Sequence, residues 1–391
     1  MATTKVIPDV LDLNEATSES GLKIPTGTQF NRPATDVAGM IRDNTNEASE
    51  GSASCEEYYN GAAWKKINNV AIPPIVGMST LIYSGNGSTQ SLTGLGFKPD
   101  LVWIKNRNGT NPNGLWDSTR GAGKLLVSNT DAAESGNAGD LMGSFDADGF
   151  QVNRQYLTNT AYDNTNWGAG TYVAWCWKAN GGTTSSNTDG DITSTVQANT
   201  EAGFSIITYQ TNGSNSARVG HGLGTTPKIV LIKKYGSTSA WHFMTTQIDG
   251  SFDDLILNTD AVKSDSGLTA PTSTTFAAES GSSGEDMICY AFAEISGYSK
   301  FGTYTGNGST QSITGLGFQP SWVLIKSATQ VANWLLFDSV RGATKGLSPN
   351  DSAAEITNAN MLTSFDSDGF SLGNQTSVNA NTETYIYMAF K

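Results

Sequence analysis

The chain has 391 residues, 43 of them glycine, with only 15% charged side chains and a formal net charge of −13. Average soluble domains hold about 7% glycine and about 25% charged residues; so few Lys and Arg under so much acid exclude a counterion-displacing nucleic-acid grip and a polybasic membrane surface. A 37% hydrophobic share, including 9% aromatics, is too rich for a wholly disordered polymer.

Met1 to Ser20 has no basic start and no apolar stretch, so a Sec-type export signal is not expected. No apolar run is long enough to span a membrane, so no membrane insertion is expected. Cys55, Cys176 and Cys289 are widely spaced and outside any C-x-x-C arrangement, which implies neither a disulfide framework nor a zinc site and suits synthesis in a reducing cytoplasm. Met1 to Asn44 is polar and unpatterned apart from a strand candidate at Gly39-Met-Ile-Arg42. Tyr58 to Trp64 reads as a hairpin, because Asn60-Gly61 accepts the positive φ of a type I′ turn. Val70 to Gly77, with Pro73-Pro74, reads as a stiff linker.

Beyond that point the chain repeats itself. Gly85-Asn-Gly-Ser-Thr-Gln-Ser-Leu-Thr-Gly-Leu-Gly-Phe97 recurs as Gly306 to Phe318 with a single change, Leu92 to Ile313. The correspondence runs on through Asp117 and Asp338, Arg120 and Arg341, and Asn129 and Asn350. A worn copy lies between, where Pro227 precedes Lys228-Ile-Val-Leu-Ile-Lys233 and Leu257-Asn-Thr-Asp260 echoes Ser128-Asn-Thr-Asp131. This copy lacks the Asp-Ser-x-Arg-Gly and Asp-x-Asp-Gly segments of the outer two. Each copy closes on a strand: Tyr172 to Lys178, Met287 to Phe292 and Tyr385 to Lys391. In the first, Val173, Trp175 and Trp177 alternate with Tyr172, Ala174 and Cys176, so both faces are apolar. The last copy reaches the final residue, and its end reads as a strand within a domain rather than a tail.

Short Val, Ile, Tyr, Phe, Trp and Thr runs between Asn-Gly, Asp-Gly and Gly-Asn turns predict an all-β chain. The expected architecture is three tandem β-sandwich repeats, residues 79–179, 203–297 (divergent) and 301–391, after a mostly extended N-terminal segment with a hairpin, residues 1–70. Lys124 to Leu141 is the only stretch with a hint of helical turn, and Ala179 to Gly203 reads as a flexible linker.

The chemistry-bearing residues point to structure. His221 lies in a Gly-His-Gly loop and His242 beside Trp241, with no nucleophile elbow in the chain, so both read as loop and packing residues. Asp146-Ala-Asp148-Gly and Asp366-Ser-Asp368-Gly open like calcium loops but lack the later Glu; flanking Phe145, Phe150, Phe365 and Phe370 favour strand–turn–strand. Asp117 with Arg120, and Asp338 with Arg341, read as local salt bridges; the sharper alternative is that each Arg faces a ligand or a neighbouring subunit. Trp103, Trp175, Trp177, Trp241, Trp322 and Trp334 are expected in the core, whereas Trp116 and Trp167, in loop-like surroundings, are the surface candidates for stacking on a sugar. No catalytic, cofactor-binding or metal residue is assigned, and no cofactor is implied.

The outer copies resemble a β-rich repeat domain of tail-fibre and other virion proteins of marine bacteriophages. The likeness lies in Tyr304 to Pro320, Leu336-Phe-Asp-Ser-Val-Arg-Gly-Ala343, Ser364-Phe-Asp-Ser-Asp-Gly-Phe370 and the closing aromatic strand. Arg32-Pro33, Gly39 to Thr45 and Tyr58 to Trp64 resemble the opening segment of phage fibre and appendage proteins. The resemblance implies a virion protein made in the host cytoplasm, a tail fibre or receptor-binding adhesin without enzymatic activity. Its N-terminus would dock on other virion proteins of the tail or capsid, and its β-sandwiches would project toward a host surface glycan or protein receptor. A homo-oligomer, of trimeric type, follows from the need of a thin β module to bury a face against its copies. The alternatives are a head decoration or capsid fibre and, less favoured, a polysaccharide-degrading tailspike.

Overall fold

A computed structural model describes residues 26–27, 41–44, 55–59, 64–66, 77–136, 141–153, 165–279 and 282–391. The chain divides into two compact units, Met1–Pro74 and Ile75–Lys391. The described parts of the first unit form one four-stranded sheet in the order Thr26–Gly27, Ile41–Asn44, Cys55–Tyr59, Trp64–Lys66, with the first pair parallel and the others antiparallel. Tyr59 pairs with Trp64, the register of a hairpin whose Asn60-Gly61 turn lies outside the described residues, as does the Pro73-Pro74 linker.

The second unit is built of antiparallel strands, and among its described residues the one α-helix is the single turn Thr376–Asn379. One strand order occurs three times along it. Module A orders Met78–Ser84, Thr171–Trp177, Leu101–Asn106 and Gly114–Asp117; module B orders Phe204–Asn212, Ser283–Phe292, Ile229–Lys234 and Trp241–Thr245; module C orders Ser299–Thr305, Thr384–Phe390, Trp322–Ser327 and Leu335–Asp338. In each, the last of these four strands in sequence sits second, between the first two in sequence, so every module is closed by a long-range pairing. A smaller sheet accompanies each: Gln90–Thr93, Gly149–Val152 and Met142–Asp146 in A, its counterpart Gln311–Thr314, Gly369–Leu372 and Leu362–Asp366 in C, and only Arg218–Gly220 with Thr275–Ala277 in B.

Two expectations need correction. Ala179 to Gly203 is not a linker: Ser185–Asn187 and Ser194–Asn199 add to one edge of the large sheet of module B, which with Asp253–Ile256 and Ser264–Asp265 at the other edge has eight strands. Its polar composition hides alternation, since Ser194 and Val196 are buried and Thr195 is exposed. Lys124 to Leu141 holds no helix among its described residues but a short strand, Leu126–Val127, paired with Gly114–Leu115.

The apolar alternation now has a meaning. Tyr172, Ala174 and Cys176 pack with Leu92, Phe97 and Phe150 in a core private to module A, and modules B and C have private cores of their own. The other face, Val173, Trp175 and Trp177, belongs to one core shared by all three modules. At its centre the equivalent residues Trp177, Phe292 and Phe390 meet edge to face, with ring centroids 6.3, 6.1 and 6.1 Å apart. Such aromatic contacts add about 0.5–1.5 kcal/mol each beyond the area buried. The sandwiches are therefore not separate bodies. Each large sheet is covered on both faces, and residues 75–391 are one compact unit.

Candidate functional site

Polar hooks hold the three modules in a ring. At the start of the strand after the central hairpin, Asn113, Trp241 and Trp334 occupy equivalent places, each with its backbone N–H donating to an Asn side chain: Asn129, Asn258 and Asn350. Each side chain reaches into the next module. Asn113 donates to Ser348, Pro349 and Asp351 carbonyls in C, Trp241 Nε1 donates to Val127 O in A at 2.9 Å, and Trp334 Nε1 donates to Ile256 O in B at 3.2 Å. A buried lysine backs each hook. Lys105 Nζ donates to Ser352 O of C at 2.8 Å and Lys233 Nζ to Asp131 O of A at 2.9 Å, while Lys326 feels the Asp260 carboxylate of B. Burial pulls all three ammonium groups down to about 8, against the partial support of Asp351, Asp131 and Asp260.

The Asp–Arg pairs lie at two of these three junctions. Asp338 accepts from Arg341 Nε at 2.5 Å and from Trp175 Nε1 of module A at 2.9 Å, and the Arg341 guanidinium stacks 5.5 Å over the Trp175 ring. Glu355 completes the cluster, paired with Arg341 at 3.1 Å and with Arg107 of module A at 2.8 Å. Burial works against the Glu355 carboxylate, yet the two guanidiniums outweigh it and hold its pKa below the ordinary range. At the second junction Asp117 accepts from Arg120 at 2.6 Å and from Tyr290 OH of module B at 2.8 Å, with Glu134 2.8 Å from Arg120. These pairs are local salt bridges, and each arginine also faces a neighbour, which is a module of the same chain.

The repeated glycine motif is a clasp. In A, Asn166 Oδ1 accepts from Asn86 N–H and its amide donates to Ser88 O; in C, Asn379 does the same for Asn307 and Ser309. Asp148 accepts from the N–H groups of Gly94 and Gly96, and Asp368 from those of Gly315 and Gly317, contacts that hold the Asp368 pKa below its usual value. Asp146 and Asp366 each accept from a serine hydroxyl, Ser144 and Ser364, at 2.7 Å. The Asp-x-Asp-Gly segments are strand–turn–strand, and among the described residues no cluster of His, Cys, Asp and Glu is arranged to hold a metal. Their glycines are sterically required, because a Cβ at Gly149 would stand 1.8 Å from Leu92 O and one at Gly369 1.9 Å from Ile313 O.

His221 is buried and accepts at Nδ1 from Leu223 N–H (3.1 Å), so Nε2 carries the proton and donates to Thr272 O (3.2 Å). Burial lowers its pKa, consistent with a neutral ring bracing a loop. His242 joins adjacent strands through Asp254 at 2.8 Å, with Glu279 at 4.0 Å. Burial opposes its charge, but the two carboxylates prevail and raise its pKa.

Of the two surface tryptophans expected, one is corrected. Trp116 is 0% exposed, within the strand Gly114–Asp117 and the private core of A. Its loop-like flanks are strand ends, a four-residue strand being too short to show alternation. Trp167 is 60% exposed. Its backbone closes the clasp, donating N–H to Tyr172 OH, and Ala380 makes the same bond to Tyr385 in C, so the indole is not needed for that role. Cys176 and Cys289 are free and buried, and burial pushes both thiols up.

Sequence reasoning gave no sign of a groove of about 330 Å³ on module C. It lies between the 330–335 segment, Ile356, Met361 and the helical turn at 376–377, and no charged side chain lines it. Gln330 and Ser377 were inconspicuous because neither belongs to a repeated motif.

A family described as a domain of unknown function (DUF7483) matches residues 77–391. No curated protein matches the chain, and no solved structure does.

Proposed function

The chain belongs to the DUF7483 family, and from that premise we propose that it is a structural protein of a bacteriophage virion, a tail fibre or receptor-binding adhesin. Its first 70 residues dock on the particle, and the 75–391 unit meets the host surface. One observation carries the reading: the buried charged side chains Asp117, Arg120, Asp338, Arg341, Glu355, Lys105 and Lys233 are committed to the junctions that hold three β modules together. That commitment suits a rigid structural block. The sequence resemblance supplies the virion context. The need for a sister chain to cover a thin module is met within one chain, since the other two modules bury that face.

Mass spectrometry of purified particles of the encoding phage, with antibody labelling seen by electron microscopy, tests the proposal. The expected result is the chain in the particle and label on the tail. Absence from particles overturns the reading, and label confined to the head replaces it with a decoration or capsid-fibre role.

A further inference from the structure

The first strand of each module lies at the edge of its four-strand order, and the three edges end differently. In B, Ser194–Asn199 and then Ser185–Asn187 pair beyond Phe204–Asn212, so its outward backbone is taken. In C, the outward groups are capped from within the chain. Phe301 N–H donates to Glu294 at 2.8 Å, Ser299 N–H to Ile295 O at 2.9 Å, and the Gln311 amide to Thr305 O at 3.1 Å. Lys300 adds a charge to that strand, a common guard of open edges. In A, Met78–Ser84 has none of these devices. Gly77 O accepts from Lys178 N–H, and Gly85 N–H donates to Gly170 O, so alternate residues from Gly77 to Gly85 bond the strand Thr171–Trp177. Thr80, Ile82 and Ser84 therefore turn their N–H and C=O groups outward, where they meet no partner among the described residues. Ile82 is 42% exposed there. No charged residue occurs anywhere from Ile67 to Phe97.

We propose that this edge is an interface with a second copy of the chain, in which Met78–Ser84 pairs antiparallel with the same strand about a two-fold axis at Ile82. The outward residues share one parity, as such pairing requires. Ile82 exchanges both backbone bonds with Ile82 of the second copy, and Thr80 does so with Ser84 of the second copy, so the outward N–H groups each meet a C=O. The axis also sets the two exposed Ile82 side chains against each other and removes their apolar surface from water. At the equivalent position B has Thr208 and C has Thr303, so the isoleucine belongs to the open edge alone. Charge selects the partner. Like charges directly opposite one another are destabilising, and two copies of a chain at −13 approach most readily along an uncharged strand. An acidic or basic segment would find no counter-charge on it. A seven-residue strand is about 23 Å long, and pairing over that length alone falls short of the about 1,200 Å² of stable complexes. The pair is therefore expected to be a weak one, with a micromolar dissociation constant. The inference concerns an edge, whereas the faces of module A are covered within the chain, and it does not depend on the virion reading.

The test is sedimentation of the purified full chain across the micromolar range. A monomer–dimer equilibrium is expected, and Ile82→Lys, which places like charges on the axis, should weaken it at least tenfold. Thr303→Lys, at the equivalent position of C, should leave it unchanged. A second measurement does not depend on how well the lysine variant folds. Paired residues on an antiparallel ladder lie about 5.5 Å apart at Cα, within the range a disulfide spans. In a Cys55→Ser background, mild oxidation of Ile82→Cys should give a covalent dimer, while Thr303→Cys stays monomeric. Cys176 and Cys289 are buried and take no part. Exchange of the Ile82 amide should slow at least fivefold as concentration rises, whereas the Leu81 amide, which faces the neighbouring strand of its own module, should not change. A chain that stays monomeric throughout the range would overturn the proposal. So would an oligomer that a folded Ile82→Lys leaves intact, a failure of Ile82→Cys to cross-link, or equal cross-linking through Thr303→Cys. None of these results bears on whether the chain is found in particles, so the two readings fail separately.

Discussion

Modules A and C differ from module B in the polar chemistry of their junctions. The acid at the end of the fourth strand is Asp117 in A and Asp338 in C, and the donor it receives from the neighbour is Tyr290 or Trp175. In B the equivalent residue is Thr245, and the equivalent of the donor, in C, is Met388, by the register of strands Trp241–Thr245 and Thr384–Phe390. Thr245 turns its hydroxyl to Lys228 O instead. Acid, arginine and donor are all missing from one junction and all present at the other two. The reason is physical: a buried carboxylate without its donors, or a buried indole N–H without its acceptor, is worse than an apolar contact. The cluster is absent as a unit from the junction between B and C, where B supplies neither acid nor arginine and C supplies no donor, although B keeps its own donor, Tyr290, for Asp117.

The largest effect tests what the junctions have in common. Trp177 meets Phe292, Phe390 and Trp322 in the shared core. Trp177→Ala is expected to destabilise the 75–391 unit by about 3–5 kcal/mol. Urea unfolding followed by fluorescence and far-UV circular dichroism should keep one coincident transition for that unit, because all three modules lean on the triangle. A transition that splits, leaving two modules at their original midpoint, would mean that the modules are independent sandwiches.

Next comes the contrast between junctions. Arg341 is fully buried between Asp338 and Glu355. Arg341→Met leaves buried Asp338 without its guanidinium and Glu355 with Arg107 alone, and is expected to cost about 3 kcal/mol, the scale for breaking a buried pair. Thr245→Val at the third junction removes two neutral hydrogen bonds, one donated to Lys228 O and one accepted from Gln247 N–H, at about 1 kcal/mol or less each. The Arg341 variant should also lose much of the acid sensitivity that Glu355 confers. A carboxylate with a depressed folded-state pKa stabilises fully above its unfolded value, and that stability fades as pH falls through the folded one. Equal losses at Arg341 and Thr245, measured by denaturant midpoint, would erase the distinction.

A smaller effect isolates the donor. Trp175→Phe keeps the ring under Arg341 but removes the N–H that Asp338 accepts. The expected loss is about 2 kcal/mol, shrinking to less than half in an Asp338→Asn background, as coupled groups require. Additive losses would show that the indole N–H and the acid act separately.

Much of this was legible before the fold was known. Alternation along Tyr172 to Trp177 announced a strand apolar on both faces, and the Asn-Thr-Asp echo marked the segments that became intermodule hooks. The identity of what covers the second face was not legible, because alternation records that a face is buried and carries no information on its partner. The sequence suggested a sister chain, and the folded chain supplies two of its own modules. Trp116 misled because Gly114 and Asp117 look like loop residues when the strand is only four residues long. The groove was invisible for the opposite reason: Gln330 and Ser377 in its lining are ordinary polar residues in segments that do not repeat.

The smallest effect separates what all three junctions share from what two of them add. Lys105, Lys233 and Lys326 occupy one equivalent strand position, and burial lowers each ammonium pKa to about 8. Unfolded, such a lysine keeps its proton to about pH 10.4. Between pH 8 and that value the unfolded chain therefore binds more protons on these lysines, and their own contribution to stability rises with pH. The lysines' contribution is complete above the unfolded pKa, declines as pH falls toward 8, and is flat below it. Cys176, Cys289 and the buried tyrosines, raised by burial, pull the other way as they ionise in the unfolded chain, from about pH 8.5 for the thiols and about 10 for the tyrosines, so the lysine effect is read as the difference between variant and parent. Replacing any one lysine with Met should reduce the slope of unfolding free energy above pH 8 by up to about 1.4 kcal/mol per pH unit, the value for one proton, and the reduction should be as large for Lys326, whose junction lacks the acid cluster, as for Lys105. A slope that responds to Lys105 and Lys233 but not to Lys326 would mean that the junction between modules B and C goes without a lysine contribution as well as without an acid, and is held by the Trp334 hook and apolar contact.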